Sequence, residues 1–414
     1  MTGADFDART LMLGNAEYQI WQLFLRLALL LRDAGIRHPH LIANFDQTQV
    51  TVADNSGCTF EVEGSKQVAV ANKEEKRAWT AVVGITAAGN VLPTQIVMKG
   101  GLARSLPSPN SPGYAESKEL GLLFGLNAKN YWSNIPLLEE YLEKIVTSHF
   151  SAQKQRLGYP EDQECVVLLD CWSVHRSEEF RNLVRRRWPW LRLRYIPGGC
   201  TGLAQPCDVG IQRPYKLSIK RSQLDDIISK TLIHLESNDD PTELKLDSRI
   251  GTLRDRSVAW FVKAWKEISQ VDLVKKSFEH CAVRGGFNLS FESLTSSAAL
   301  KVLRELPQTD PVLWAKISSE SVSESDNAEA VPNMELAEDE DPFADDADDD
   351  GDETALEPSV FMAQILSEPV SADCLPGAAD TLDLEEVQIP DAEEFGRGKR
   401  RKTANKKYRG FEYH

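Results

Sequence analysis

The sequence predicts an α/β fold, a mixed sheet with helices on its faces, followed by a helical extension. Three observations predict it. Two short apolar runs of buried-strand type, Leu41–Phe45 and Cys165–Leu169, each lead directly into an aspartate. Two strand-like arms, Trp79–Thr86 and Val91–Met98, flank a Gly-Asn turn at Ala88-Gly89-Asn90. From residue 135 onward, segments of helical period alternate with segments of strand type.

The elements follow in order. Tyr18 to Ala34 reads as one helix with Trp21, Leu25, Ala28 and Leu29 on an apolar face, ended by Gly35. Within it, Ile20–Leu31 is the most hydrophobic stretch of the chain, but it is too short to span a bilayer and is interrupted by Gln22 and Arg26. Leu41–Phe45 is a short strand, with Asp46 at its end. From Val50 to Met98 the pattern is strand-like, in pieces broken by Asn55-Ser56-Gly57, Gly64-Ser65 and the Gly-Asn turn. Residues 99–130 read as a long loop rich in Gly, Pro and Ser. Ile135–Phe150 is helical, with Leu137, Leu138, Tyr141, Leu142 and Ile145 on one side. A strand (Cys165–Leu169), a helix (Glu178–Arg187), a strand (Leu191–Ile196), a loop and a helix from about Val209 to Leu232 come next. Residues 251–315 are mostly helical, with Trp260 and Trp265 in one amphipathic segment. This order is that of the ribonuclease-H-like architecture, and no internal repeat is visible.

Charge is distributed unevenly. Residues 317–395 hold 26 Asp and Glu with no Lys or Arg, and residues 396–414 carry a net +7. Residues 1–316 therefore carry +3 of the chain's −16, so the acidic total is no objection to a nucleic-acid partner. The divisions expected are a helical lead-in (1–40), an α/β domain (41–235), a helical extension (236–316), an acidic region (317–395) and a basic tail (396–414). The acidic region lacks the apolar content for a core and is expected to be disordered. Its apolar island Val360–Leu366 reads either as a partner-binding helix or as an incidental cluster. The block Arg397–Lys407 is of the kind read as a nuclear import signal or nucleic-acid contact. Seven cysteines without a C-x-x-C pair read as buried free thiols of a reducing compartment. Residues 1–15 lack the basic start and apolar run of a secretory signal.

Three aspartates carry the chemistry. Asp46 follows Ile42-Ala43-Asn44-Phe45, Asp170 follows Val166-Val167-Leu168-Leu169, and Asp208 opens a helix after Gln205-Pro206-Cys207. An acid at the edge of a packed core is expensive unless something pairs with it. Taken singly, each reads as readily as a helix cap or turn residue. Acids converging from strand ends suit hard cations such as Mg²⁺, which prefer oxygen ligands, and point to two-metal phosphoryl transfer on a nucleic acid.

The motifs Asn44-x-Asp46-x-Thr48, Asp170-x-x-x-x-His175 and Gln205-Pro206-x-Asp208-x-Gly210, in this order, resemble the DDE superfamily endonucleases of pogo/Tigger-type transposases in the Tc1/mariner group. The sequence looks especially like the fungal version, with Lys73-Glu74-Glu75-Lys76-Arg77 ahead of the hairpin and Asp170-Cys171-Trp172-Ser173-Val174-His175. The resemblance runs from about Leu41 to Arg221 and on to about Cys281. It departs from the family at Gln47, where many relatives have Glu, and at Cys171-Trp172, where Asn-Ala is commoner. Relatives also carry helix-turn-helix modules ahead of the domain, whereas only about 40 residues precede Asp46 here.

The resemblance implies a ribonuclease-H-like fold, two Mg²⁺ or Mn²⁺ ions, and DNA strand cleavage followed by strand transfer. Asp46, Asp170 and Asp208 take the places of the three metal-binding acids, with Asp46 as the natural bridging ligand between ions about 3.5–4 Å apart. His175 is expected either to orient a scissile phosphate or metal-bound water, or to cap and pack a helix. Gln205 is expected near the metal-bound water of Asp208 or in a loop hydrogen bond. Candidate DNA contacts are Lys73, Lys76, Arg77, Arg185–Arg187, Arg213, Lys216, Lys220 and Arg221, which read equally as solvated charges. DNA is the expected partner and the nucleus the expected location. A second copy of the chain and a protein engaging the acidic region stand as further candidates, and no membrane partner is expected. Two other classes remain: a catalytically silent DNA-binding regulator descended from a transposase, and a ribonuclease-H-like nuclease of RNA or hybrids. No P-loop or dinucleotide fingerprint is present.

Overall fold

Helix α1 (Asn15–Asp33) opens the described part of this computed structural model, which comprises residues 15–52, 77–237 and 247–318. Lys73, Lys76, the acidic region with Val360–Leu366, and the basic block Arg397–Lys407 lie outside the described residues. Ile20, Leu23, Phe24, Leu27 and Leu31 of α1 recur at helical spacing and are buried. Gly35 ends the helix in a left-handed conformation at φ 63°, and Ile36 N–H donates back to Leu31 O at 2.9 Å. Among the described residues no helix is long and apolar enough to cross a membrane.

Six strands then build one sheet. They are β1 (Ile42–Thr51), β2 (Ala78–Thr86), β3 (Gln95–Lys99), β4 (Leu123–Asn127), β5 (Cys165–Leu169) and β6 (Leu191–Tyr195), in the order β4-β3-β2-β1-β5-β6. β2 is antiparallel to both β1 and β3, whereas β5 runs parallel to β1, β6 parallel to β5 and β4 parallel to β3. The result is a ribonuclease-H-like mixed sheet. Every residue of β2 is buried, as a strand covered on both faces requires.

Several elements differ from the sequence reading. β1 does not stop at Phe45; it runs to Thr51, which places Asp46 in mid-strand, paired with Val83 of β2. Its second half alternates Gln47, Gln49 and Thr51 outward with Thr48 and Val50 inward. β3 is shorter than Val91–Met98 because Pro93 has no N–H for the ladder, and Val91 makes only an isolated bridge to Ile85. The stretch expected as loop contains helix α2 (Tyr114–Glu119) and edge strand β4.

The expected helix over 135–150 is longer. Helix α3 (Ile135–Tyr141), capped by Asn134 Oδ1 on Leu137 N–H at 3.1 Å, passes through a π turn (Leu142–Thr147) into α4 (Ser148–Leu157). After β5 come α5 (Ser173–Arg176) and α6 (Glu178–Arg187), the latter capped by Ser177 on Phe180 N–H. After β6 come α7 (Thr201–Ala204), a π turn (Cys207–Ile211) and the long α8 (Gln212–Glu236). Helices α9 (Ile250–Ile268), α10 (Val271–His280), α11 (Phe291–Leu294), α12 (Ser297–Thr309) and α13 (Pro311–Ser318) complete the described chain. One apolar cluster takes side chains from α1, the sheet and α9–α13, with Trp79 of β2 against Trp260 and Phe261 of α9.

Candidate active site

The sheet register brings two of the acids to one level. The last parallel pair of β1 and β5 is Asn44↔Leu168, and two residues further along each chain stand Asp46 and Asp170. Adjacent strands lie about 4.8 Å apart, so both carboxylates arise side by side where β5 ends and β1 continues. By the two-residue alternation, Asp46 shares its face of β1 with Asn44.

Asn44 brings in the third acid. Fully buried, it donates from Nδ2 to Leu168 O at 3.0 Å and accepts on Oδ1 from Cys207 N–H at 3.0 Å. One amide thus ties β1 both to β5 and to the π turn that carries Asp208. The turn sits close over its surroundings because Gly210 has no side chain: a Cβ there would lie 2.6 Å from Ser277 Cβ of α10. π turns are rare and recur at functional sites.

Charge confirms the convergence. Burial first, then the neighbouring charges of Asp208 and Asp170, push the Asp46 carboxyl well above the usual carboxylate range. Hydrogen bonding by the Gln47 N–H, which donates to Asp46 Oδ1 at 2.8 Å, and by the Gln205 side chain opposes that push, and Gln212 Nε2 also donates to Oδ2. Lys216 of α8 stands within the field of Asp208 and Asp46; burial lowers its ammonium pKa and both acids raise it.

His175 is 1% exposed, enclosed by the rings of Phe45, Trp172 and Phe180. Its Nδ1 lies 2.6 Å from Asp170 Oδ1, and Tyr195 Oη donates to its carbonyl at 2.8 Å. An imidazole so enclosed has no surface for a phosphate. The ring is packed, and its Nδ1 is set against Asp170.

Residues 76–277 match the family model of the DDE superfamily endonuclease. Over that segment the chain is similar to DDE superfamily endonucleases. Two relatives are the proteins called "Pogo transposable element with KRAB domain" of Homo sapiens, 23% identical over 262 residues, and of Mus musculus, 23% identical over 287 residues. The alignments cover 63% and 69% of this chain but only 38% and 41% of those proteins, so the chain spans about two fifths of their length. Similar solved structures include the Mos1 mariner paired end complex with Mn, at 12% identity and TM-score 0.30 over 61% of this chain and 62% of that one. Another is a pre-cleavage Mos1 transpososome, at 10% identity and TM-score 0.32 over 62% and 63%.

Where the three segments meet, the donor set is chemically suited to a hard divalent cation: three carboxylates, with amide oxygens nearby. The excess of negative charge that raises the Asp46 pKa is the kind that a cation offsets. Among the described residues, however, no three His, Cys, Asp or Glu side chains stand in mutual ligating geometry. The carboxylates are turned to protein partners, Asp46 to Gln47 and Gln212, and Asp170 to His175. The residues fit the group in kind and place, and cation binding requires these side chains to turn inward.

The expected DNA contacts separate into classes. Arg213 is exposed on α8, and Lys216 and Lys220 are half-buried on the same helix. Arg221 pairs with Glu267 at 3.4 Å, and Arg77 donates to Ser248 O at 3.0 Å. Arg187 bonds Glu139 and Glu143 of the facing helical segment and so fastens α6, whereas Arg185 and Arg186 are exposed. Of the described cysteines, Cys165, Cys200, Cys207 and Cys281 are buried and free, and Cys171 is half-buried and free.

The sequence reading missed Asn44 as the tie and Gln212 as a partner of Asp46. The signal for Gln212 was its spacing: it stands one helical turn beyond Asp208, on the same face.

Proposed function

We propose that the α/β domain is a DDE-type domain that cleaves DNA strands and joins the resulting ends to a target, by phosphoryl transfer assisted by Mg²⁺ or Mn²⁺ at Asp46, Asp170 and Asp208. The observation that carries this reading is the meeting of three separate chain segments at one point. Register sets Asp46 beside Asp170, and the Asn44–Cys207 bond brings Asp208 to them. Bound there, divalent cations supply Lewis-acid activation of the attacking oxygen and charge neutralisation at the leaving one.

The protein's own residues supply the rest. Asp46, on the central strand, would hold the cations together with Asp170 and Asp208. Asp170 is held in orientation by His175 Nδ1, and Asp208 is carried on a turn that Asn44 and Gly210 seat. The positively charged face of α8 beyond Asp208, with Arg213, Lys216 and Lys220, meets the phosphate backbone and positions the strand without reading its bases. With DNA as the proposed substrate, the nucleus is the proposed location, in keeping with the basic block Arg397–Lys407.

A panel of end-labelled DNA duplex, RNA duplex and hybrid, each with Mn²⁺, tests the reading with the full chain and Asp208→Asn. DNA cleavage by the wild type, reduced roughly 10²–10³-fold in Asp208→Asn, is expected. Cleavage confined to RNA or hybrid would overturn the substrate class. A folded wild type with no cleavage of any substrate would leave a silent DNA-binding descendant as the better account.

A further inference from the structure

We propose that Trp132 and Tyr131 form a stacking platform for an unpaired base of a DNA strand whose backbone passes the three acids. The inference rests on the DNA reading given above, adds a base-contacting site to it, and needs no cation.

Of the nine tryptophans of the chain, Trp132 alone is exposed, at 43%; the others are buried or half-buried. A single exposed apolar residue is ordinary, but the loop that presents this one is not. Between β4 and α3 the backbone is pinned by asparagine side chains. Buried Asn127 donates from Nδ2 to Asn130 Oδ1 at 2.9 Å and to Trp132 O at 2.7 Å, and accepts on Oδ1 from Lys129 N–H at 3.0 Å. Asn130 Oδ1 also accepts from Trp132 N–H at 3.0 Å, and Asn134 then caps α3. Trp132 is thus held by both its N–H and its carbonyl while its ring stays outside, 5.3 Å from the ring of Tyr131. An aromatic pair fixed before it meets a ligand loses less entropy on binding.

Position and charge say what covers the pair. Gln49 Nε2 donates to Tyr131 Oη at 3.3 Å, and Gln49 stands three residues beyond Asp46 on β1. Three residues of strand span about 10 Å, the rise of about three stacked nucleotides. The loop after β3 lies alongside, because Gly100 N–H donates to Asn127 O at 2.9 Å. Residues 99–113 and 127–134 together carry Lys99, Arg104 and Lys129, and no Asp or Glu. Leu102, 56% exposed, adds apolar surface to the first of these loops. Rings interleaved with cations suit a single nucleic-acid strand, whose backbone follows the charge while its bases stack on the rings. Bases within a duplex already stack on one another, so the platform serves a strand that is unpaired at that point.

The test measures binding of a dye-labelled thymidine oligonucleotide of about 16 nucleotides, and of the duplex it forms with its complement, by fluorescence anisotropy. The full chain is used without divalent cation, as the wild type, Trp132→Ala, Trp132→Phe and Lys129→Gln. Single-strand binding should be about tenfold weaker in Trp132→Ala and within about threefold of wild type in Trp132→Phe, with duplex affinity changed by less than about twofold in both. Stacking is not ionic, so Trp132→Ala should leave the slope of log affinity against log salt unchanged, whereas Lys129→Gln should reduce it by about 1. Single-strand binding by Trp132→Ala within about twofold of wild type would overturn the platform and, with duplex binding retained, leave the DNA reading standing. Equal losses on single strand and duplex would also overturn it, as would a Trp132→Phe variant no better than Trp132→Ala. Absence of binding to either DNA by the folded wild type would remove the DNA reading and this site with it. Self-association of the wild type that is lost in Trp132→Ala, read by sedimentation velocity with single-strand affinity unchanged, would assign the face to a second copy of the chain instead. Trp132→Phe keeps the question answerable if Trp132→Ala fails to fold.

Discussion

Asn44 Oδ1 accepts a hydrogen bond from Cys207 N–H at 3.0 Å, joining residues 163 positions apart. The same side chain donates to Leu168 O, so three segments that each bear or adjoin a candidate acid are tied through one amide. Removing it should be costly. Asn44→Ala leaves the buried Cys207 N–H without a partner, at about 1–3 kcal/mol. Asn44→Asp keeps the acceptor but loses the donor and adds charge beside Asp46, so it should be less stable than the alanine variant. Denaturant midpoints decide; an Asp variant as stable as wild type would contradict this account.

Gly210 is required by packing. Its added Cβ would meet Ser277 Cβ at 2.6 Å and Ser277 Cα at 3.1 Å, so backbone must shift. Gly210→Ala should lose about 1–3 kcal/mol. Adding Ser277→Gly should recover only part of the loss, because the close approach to the backbone of residue 277 remains. Full recovery, read from thermal denaturation, would show that this backbone yields easily.

His149 should make stability depend on pH. Burial first, then the neighbouring His40 and Arg156, lower its pKa from 6.5 to about 4, against a hydrogen bond to the His40 backbone that raises it. His40 is lowered too, by burial, Arg156, His38 and Lys275. A histidine depressed in the folded state is neutral there, while the unfolded chain takes up a proton first. Its contribution is therefore complete above about pH 6.5 and lost as pH falls toward 4. Between pH 7.5 and 4.5, wild type should lose on the order of 2 kcal/mol more than His149→Gln. Equal losses in urea denaturation would refute the assignment.

DNA binding should separate the basic residues of α8. Arg213 is exposed, and Arg213→Gln should reduce the slope of log affinity against log salt by about 1. Arg221 is already paired with Glu267 at 3.4 Å, so Arg221→Gln should change the slope less. Fluorescence anisotropy between 50 and 200 mM salt, as about the useful range, distinguishes them. A larger effect at Arg221 would place the duplex elsewhere.

Much of the fold was legible in the sequence, for identifiable reasons. Leu41–Phe45, apolar but for Asn44, and the unbroken run Cys165–Leu169 both become interior strands, and both were read. The middle of β1 was missed because Gln47 and Gln49 face outward, leaving only Thr48 between them to signal burial ahead of Val50. β4 was missed because an edge strand needs fewer apolar residues, and Leu123-Phe124-Gly125-Leu126-Asn127 lies in a stretch dominated by turn residues. At the site, the acids and their order were readable from motif spacing. Their partners were not, since Asn44 and Gln212 make these bonds only when 163 and 166 residues of chain close between the bonded ends. Nor could the sequence show that His175 is enclosed by Phe45 and Phe180, which come from separate elements.

The measurement that tests the central claim most directly is nicking and strand transfer on supercoiled DNA by the full chain with Mn²⁺ or Mg²⁺, beside Asp170→Asn. Asp170 lies next to Asp46 by register alone and keeps its contact with His175 at 2.6 Å, so its replacement by Asn alters charge with little change of shape. The account predicts cation-dependent nicking and joining by the wild type that falls by at least about 100-fold in the variant. Nicking of equal strength in both proteins, or folded wild type without cation-dependent nicking, would contradict it.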